Sequence, residues 1–503
     1  MTVEEWDLTT VISPYLDRHM VFPLLEFIDT NLLAKNLVSY EAKDIGSARL
    51  ALLRPTHMVD YAMDTYKIVH GENAAIPKEM EEQKHKVYQA LEELKKGCAP
   101  LDKICKDEEE RNKLMSSGKF TLAGIQKHDA SITADVVESY RQLARFMFDC
   151  GDYKASRDML TYYIQLHAIS PTQTDEEDEV LIAAGLQQQQ QSGSGNETGN
   201  PDMYFLPNVD EKMLHVLWGR LASEILAQDW EAAAKAVDAV KTALEMLAGK
   251  NTLSPLEALQ QRTWLLHWSL FVYWNDSAGL ERLVDLFHSE RYKQAITTNA
   301  PHLLRYLTAA VLLCKRRVNK KTTGGSSSEA RRLLKNLTNV MQDCEYTDPI
   351  VEFVNCLCVK YDFDSAQLKL AECNQVLTAD FFLCEQTDLF MEEARVFVFE
   401  NYCRIHHKID LAALGEKLAM DQESAERWIV DLIRNAALDA KIDAAEACVV
   451  MGGSQVSVYE QVMDRTRDLN VRSATLQQNF QALLQESRKE KARKESASRE
   501  DEY

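Results

Sequence analysis

Residues 134–167 read ADVVESYRQLARFMFDCGDYKASRDMLTYYIQLH. Tyr140, Leu143, Ala144, Met147 and Phe148 recur every three or four positions, the spacing that lines one face of an α-helix. Gly151-Asp152 interrupts the run, and Tyr153, Ala155, Met159 and Leu160 resume it, so a helical hairpin is expected. Residues 214–240, LHVLWGRLASEILAQDWEAAAKAVDAV, repeat the arrangement. Leu221-Ala222 stands for Leu143-Ala144, and Asp229-Trp230 for Asp152-Tyr153, with a slip of one residue. Further pairs are expected within 262–287, 300–315 and 330–344. Units of this kind bury their apolar faces on their neighbours, which predicts a stacked, right-handed helical-repeat solenoid.

On the N-terminal side, residues 7–27 read DLTTVISPYLDRHMVFPLLEF. Leu8, Ile12, Leu16 and Met20 form one helical stripe, Asp7 is placed to cap it, and Pro23 is expected to break it before Leu24. Tyr15, Arg18 and Phe22 have the composition of interface anchors. Helical patterns follow at 58–69 and 77–96. The tryptophans 218, 230, 264, 268 and 274 fall at helical spacing and are read as core.

On the C-terminal side the pattern changes near Asp388. An apolar helix is expected over 389–405, a short helix capped by Asp410 over 411–418, and a second capped by Asp421 through 434. Leu438, Ala440 and Ile442 alternate with polar neighbours, and Cys448, Val449, Val450 and Met451 suit a second strand. Three helices and then a two-stranded hairpin is the order of a winged helix. A last amphipathic helix is expected over 456–484.

The expected fold is therefore mainly all-α. It comprises an N-terminal helical region (1–130), hairpin repeats (131–186), a disordered Gln/Gly/Ser-rich insertion (187–202) and further repeats (203–387). A winged helix (388–455), a C-terminal helix (456–485) and a disordered charged tail (486–503) follow. Residues 315–328 read as a basic Gly/Ser-rich loop.

The 503 residues carry 57 basic and 78 acidic side chains, a formal charge of -21 that points toward protein partners. No run approaches about 18 consecutive apolar residues, so no membrane span is expected. The eleven cysteines are irregularly spaced, and residues 1–6 lack the basic and apolar regions of a secretory leader, so a disulfide framework is not expected.

No phosphate-binding loop, HExxH or nucleophile elbow occurs, and no enzyme activity or cofactor is expected. The glycines 193, 195 and 199 lie in low-complexity sequence with no strand before them. His406-His407 project about 100° apart on a helix, and Cys356 and Cys358 about 200° apart, so neither pair is read as metal ligands.

A solenoid that ends in a winged helix resembles the PCI module of large assemblies. The run at 7–27, the segment Met58-Val59-Asp60-Tyr61-Ala62-Met63-Asp64 and the block at 140–163 resemble the e-subunit family of eukaryotic translation initiation factor 3. The likeness covers most of the chain outside the Gln-rich insertion, the 315–328 stretch and the tail. It implies a cytoplasmic, non-catalytic scaffold that supports assembly of the preinitiation complex on the small ribosomal subunit and recruitment of mRNA. The implied partners are the other subunits of the factor, its PCI/MPN core and its d-subunit among them. The alternative reading is a PCI subunit of the proteasome lid or the signalosome.

Residues 410–453 hold nine acidic and four basic side chains, a balance of -5 that phosphate would repel. DNA is therefore not expected as a partner. A protein interface is expected instead, carried by Leu411, Leu414, Leu418, Trp428, Ile429 and Leu432. Contact with rRNA or mRNA is considered for Lys315, Arg316, Arg317, Lys320 and Lys321, and less strongly for the tail, where Glu486, Glu490 and Glu495 offset five basic residues.

Overall fold

The computed structural model describes residues 6–34, 38, 40–71, 75–117, 119–167, 209–250, 252–321, 327–406, 408–410, 427, 430, 440–443, 448–451, 459, 462–463, 465–467, 469–481 and 483–484. These fall into two compact units. One comprises 1–317 and 333–394, the other 318–332 and 395–503.

The first unit is an array of helices that pack for the most part on their neighbours along the chain. A short helix α1 (Thr9–Ile12) and α2 (Arg18–Phe27) precede α3 (Ala42–Leu53), α4 (Val59–His70) and α5 (Lys78–Lys106). Two short helices, α6 (Glu108–Ser116) and α7 (Leu122–His128), lead to the repeats. These are α8 (Ala134–Asp149) with α9 (Tyr153–His167), α10 (Glu211–Leu226) with α11 (Trp230–Gly249), and α12 (Pro255–Asn275) with α13 (Gly279–His288) and α14 (Glu290–Thr298). Then come α15 (Leu303–Lys321), α16 (Ser327–Asp343), α17 (Pro349–Asn355), α18 (Phe363–Ala379) and α19 (Thr387–Ile405), of which residues 318–321, 327–332 and 395–405 are counted in the second unit.

The two hairpins singled out by sequence share one corner. Gly151 has φ +89° and Gln228 φ +60°. In each case the next residue is an aspartate whose amide closes back on the preceding helix, Asp152 on Met147 O and Asp229 on Glu224 O, as in a Schellman turn. The same aspartates then cap the following helices, accepting from Ala155 N (3.1 Å) and Ala232 N (3.2 Å). The one-residue slip leaves this corner intact.

The N-terminal stripe is not one helix. It forms α1, a 3-10 turn (Ser13–Tyr15) and, after an extended step at Leu16 and Asp17, α2. Asp7 accepts from Thr9 N as expected, but Asp17 also caps, taking His19 N at 2.9 Å. Pro23 does not end α2, which continues to Phe27. Pro23, the sixth of the ten residues of α2, removes one backbone donor from the helix interior, and burial of Met20, Val21, Leu24 and Leu25 holds the backbone helical around it.

The whole segment 6–33 runs along the array. Arg305 Nη1 donates to Trp6 O at 2.9 Å, and Trp268 Nε1 to Tyr15 O at 3.0 Å. The Tyr15 ring stacks on His267 with centroids 4.3 Å apart, and its hydroxyl donates to Asn299 O at 3.1 Å. His19 meets Tyr153 Oη at 3.0 Å and packs on Phe148. Val21, Leu25, Phe27, Ile28 and Leu32 join Ile45 and Ala379 in one buried cluster, with Phe381 against it. Tyr15 and Phe22, read as interface anchors, are thus engaged within the chain, Phe22 edge-on to His19 and Tyr61, while Arg18 is exposed.

The second unit holds a three-stranded antiparallel sheet of β1 (Lys408–Asp410), β2 (Ala440–Asp443) and β3 (Cys448–Met451), in the order β1-β3-β2. Register pairs Ile409 and Ile442 with Val449. Strand β3 starts and ends where the sequence predicts. Strand β1 is an addition to the predicted hairpin, and Asp410, read as a helix cap, is its last residue.

Candidate docking surfaces

Two clusters of buried polar groups in the first unit are satisfied within the chain, one around Arg305 and one around His267. Arg305 is 1% exposed and pairs with Asp348 (Nε to Oδ2, 2.6 Å) and Asp380 (Nη1 to Oδ2, 3.0 Å). Burial alone would weaken the guanidinium charge, but Asp348, Tyr346 and Asp380 outweigh it and hold Arg305 cationic. Burial pushes the Asp380 carboxyl up, against the pull of Arg305.

His267 donates from Nδ1 to Thr263 O (2.7 Å), which leaves its Nε2 to accept from His302 Nε2 at 2.8 Å. Burial depresses His267 to about 3 and His302 to about 4, so both rings are neutral near pH 7. These centres lie in the core of the unit.

A shallow pocket of about 270 Å³ between α9 and α10 is lined by Arg157, Asp158, Tyr162, Arg220, Glu224 and Asp229. Arg157 pairs with Asp158 and Asp229, and Arg220 with Glu224, so its charges are largely internal. Among the described residues no three His, Cys, Asp or Glu side chains converge as a metal site, and Cys356 and Cys373 are buried thiols. No described helix is long and apolar enough to cross a membrane.

The basic run takes a different form from the one expected. Lys315, Arg316, Arg317, Lys320 and Lys321 are not in a loop but form the last turns of α15. Leu303–Lys321 is a continuous amphipathic stretch, and cations are favoured at a helix C-terminus, where the backbone dipole is negative. The winged-helix residues Leu411, Leu414, Leu418, Trp428, Ile429 and Leu432 lie outside the described residues, as does the whole helix expected over 411–418. Of the helix expected through 434, Arg427 and Val430 are described, and both are helical. The Gln-rich insertion and the charged tail also lie outside the described residues.

A further surface lies on the helix that the sequence marks only as amphipathic. Every described residue from 459 to 484 is helical and exposed. Val462, Leu469, Leu476 and Leu483 are spaced by seven, and Tyr459 and Phe480 each lie three residues before a member of that series. Leu469 is 62% exposed, Leu476 57% and Phe480 61%. In a coiled coil the apolar a and d positions alternate at three and four. Here the d series and the two outer a positions are apolar, while Thr466 and Ser473 occupy the central a positions. Val471, also exposed, lies off that seam. The sevenfold leucine spacing is visible in the sequence; the exposure of its described members is not.

Comparison with known proteins fits this architecture. The family described as "eIF3 subunit 6 N terminal domain" matches residues 7–147, and "PCI domain" matches residues 370–452. The E-subunit of eukaryotic translation initiation factor 3 from Arabidopsis thaliana is 37% identical over 487 residues, which cover 94% of this chain and 96% of that protein. The protein of that name from Culex quinquefasciatus is 36% identical over 478 residues, with 94% and 95% covered. That from Aspergillus clavatus is 34% identical over 474 residues, with 94% and 92% covered. Identity at this level across nearly the whole of both chains reaches the repeats, the PCI region and the N-terminal segment together, and the chain belongs to the E-subunit family of eukaryotic translation initiation factor 3.

Proposed function

We propose that the chain is a cytoplasmic, non-catalytic scaffold of the initiation factor 3 complex. It holds neighbouring subunits while the complex supports the preinitiation complex on the small ribosomal subunit and recruits mRNA. The observation that carries this reading is the uncovered heptad seam at 459–484. Each leucine or aromatic left in water forgoes roughly 1.5–3 kcal/mol relative to full burial. A row of exposed apolar side chains along one helix face marks a protein interface, and its heptad spacing fits a helix of another subunit.

The winged-helix residues 411, 414, 418, 428, 429 and 432 are proposed as a second surface toward other PCI subunits, since the acidic balance of 410–453 disfavours nucleic acid. The d-subunit and the PCI/MPN core are the proposed neighbours. The basic end of α15 is proposed to contact rRNA or mRNA phosphate without base specificity.

The test is native purification of the tagged full chain, followed by sedimentation at low and high salt. Co-migration with the other initiation factor 3 subunits at both salts, and with the small ribosomal subunit at low salt, is expected. Co-migration with lid or signalosome subunits would refute the proposal.

A further inference from the structure

In a helical-repeat array each element touches only its neighbours, so curvature is set by small local angles and the ends are free of one another. The N-terminal segment departs from that rule. Along 28 residues (6–33) it meets α15 at Arg305, α12 at His267 and Trp268, the α8–α9 corner at Phe148 and Tyr153, and the end of α18 at Ala379 and Phe381.

His19 and Phe27, both on α2, lie about 12 Å apart along its axis at 1.5 Å per residue. They nevertheless touch Tyr153 and Phe381, on opposite sides of the repeats in sequence. One short helix therefore spans from an early hairpin to the last one. At the segment's start, Arg305 ties the Trp6 carbonyl to Asp348, which caps α17, and to Asp380, which follows α18.

We propose that residues 6–33 are a strap that closes the first unit on itself. It sets the curvature of the repeats and makes their two ends open together. Arg305 and Trp268 are its latches, and both grip backbone carbonyls, so they hold the path of the strap whatever its side chains. Tyr15 is the pin between them, ring on His267 and hydroxyl on the α14–α15 corner.

Hydrogen exchange and small-angle scattering on the full chain test this. Tyr15→Ala removes the pin at the middle of the strap. Exchange is expected to quicken, by about tenfold, in residues 6–33 and also at the two remote ends, around Tyr153 and around Phe381. The radius of gyration rises with it. Tyr15→Phe keeps the ring and loses one hydrogen bond, and gives the same pattern at a smaller scale. Phe27→Ala, at the other end of the strap, quickens exchange around Arg305. Acceleration confined to the immediate neighbours of each substitution would overturn the proposal, because the ends would then be independent. A uniform rise along the whole chain for the mild Tyr15→Phe variant would overturn it as well, since the effect would be general loss of stability.

Discussion

Arg305 and Asp348 form an ion pair of 2.6 Å with both side chains at 1% exposure or less. Asp348 uses its other oxygen to cap α17 through Val351 N, and Asp380 accepts from Tyr306 Oη and Phe382 N as well as from Arg305. Buried charge is tolerated here because nearly every polar atom has a partner.

Arg305→Ala leaves two carboxylates buried without their cation. It is expected to cost about 3–5 kcal/mol, read as a lower urea midpoint. Arg305→Lys should recover only part of this, since an ammonium does not reproduce the fork that reaches Asp348, Asp380 and Trp6 O at once. A loss under about 1 kcal/mol for the alanine variant would show the cluster to be inessential.

The His267–His302 pair makes stability depend on pH. Burial holds the two rings at about 3 and about 4, below the value near 6.5 of the unfolded chain. The unfolded state therefore takes up protons first. The stabilisation is complete above about pH 6.5 and is lost as pH falls toward 4 and then 3. His19 and His288, also lowered by burial, act in the same direction. Denaturant titrations across this range should show a shallower fall for His267→Gln/His302→Gln than for the parent chain. Parallel curves would contradict the assignment.

Gly279 starts α13 where the chain turns back over the end of α12. A Cβ there would stand 2.2 Å from Tyr273 O and 2.7 Å from its Cα, and backbone cannot give way as a side chain can. Gly279→Ala is expected to destabilise by about 1–3 kcal/mol, the usual cost of forced overpacking. Gly249→Ala, with open space around it, should be neutral or slightly stabilising in the same thermal melt.

Neutralising Lys315, Arg316, Arg317, Lys320 and Lys321 to glutamine should weaken association with the small ribosomal subunit and flatten its salt dependence. Each lost phosphate contact lowers the log–log slope by roughly 0.7–0.9. Binding that keeps its strength and slope would remove the basic end of α15 from the interface with RNA.

Much of the first unit is legible in the sequence because its repeats obey one period and one corner. Gly151-Asp152 announces a turn by composition, and Gln228-Asp229 makes the same turn with a residue that does not advertise a positive φ. The segments that depart from their local pattern are those where tertiary packing overrides local preference. Pro23 sits inside a helix because its neighbours are buried on Phe381 and Ala379, far away in sequence. Leu8 to Met20 keep helical spacing in the sequence although the chain kinks at Ser13–Tyr15, where Tyr15 is held to Trp268, His267 and Asn299. Strand β1 escapes notice because three residues are too few for an alternation to register, and only pairing with β3 defines it. The basic run reads as a loop through the glycines and serines that follow it, while its own residues are good helix formers.

The most direct test of the scaffold account is sedimentation of the tagged full chain beside Leu469→Asp/Leu476→Asp, with Val471→Asp as the off-seam control. All three residues are exposed, so the melting temperature should scarcely change in any variant. The account predicts that the parent chain and Val471→Asp travel with the other initiation factor 3 subunits, while the double variant sediments apart from them. A double variant that stays in the complex at high salt would contradict the account, because the heptad seam would then not be what holds the chain to its neighbours.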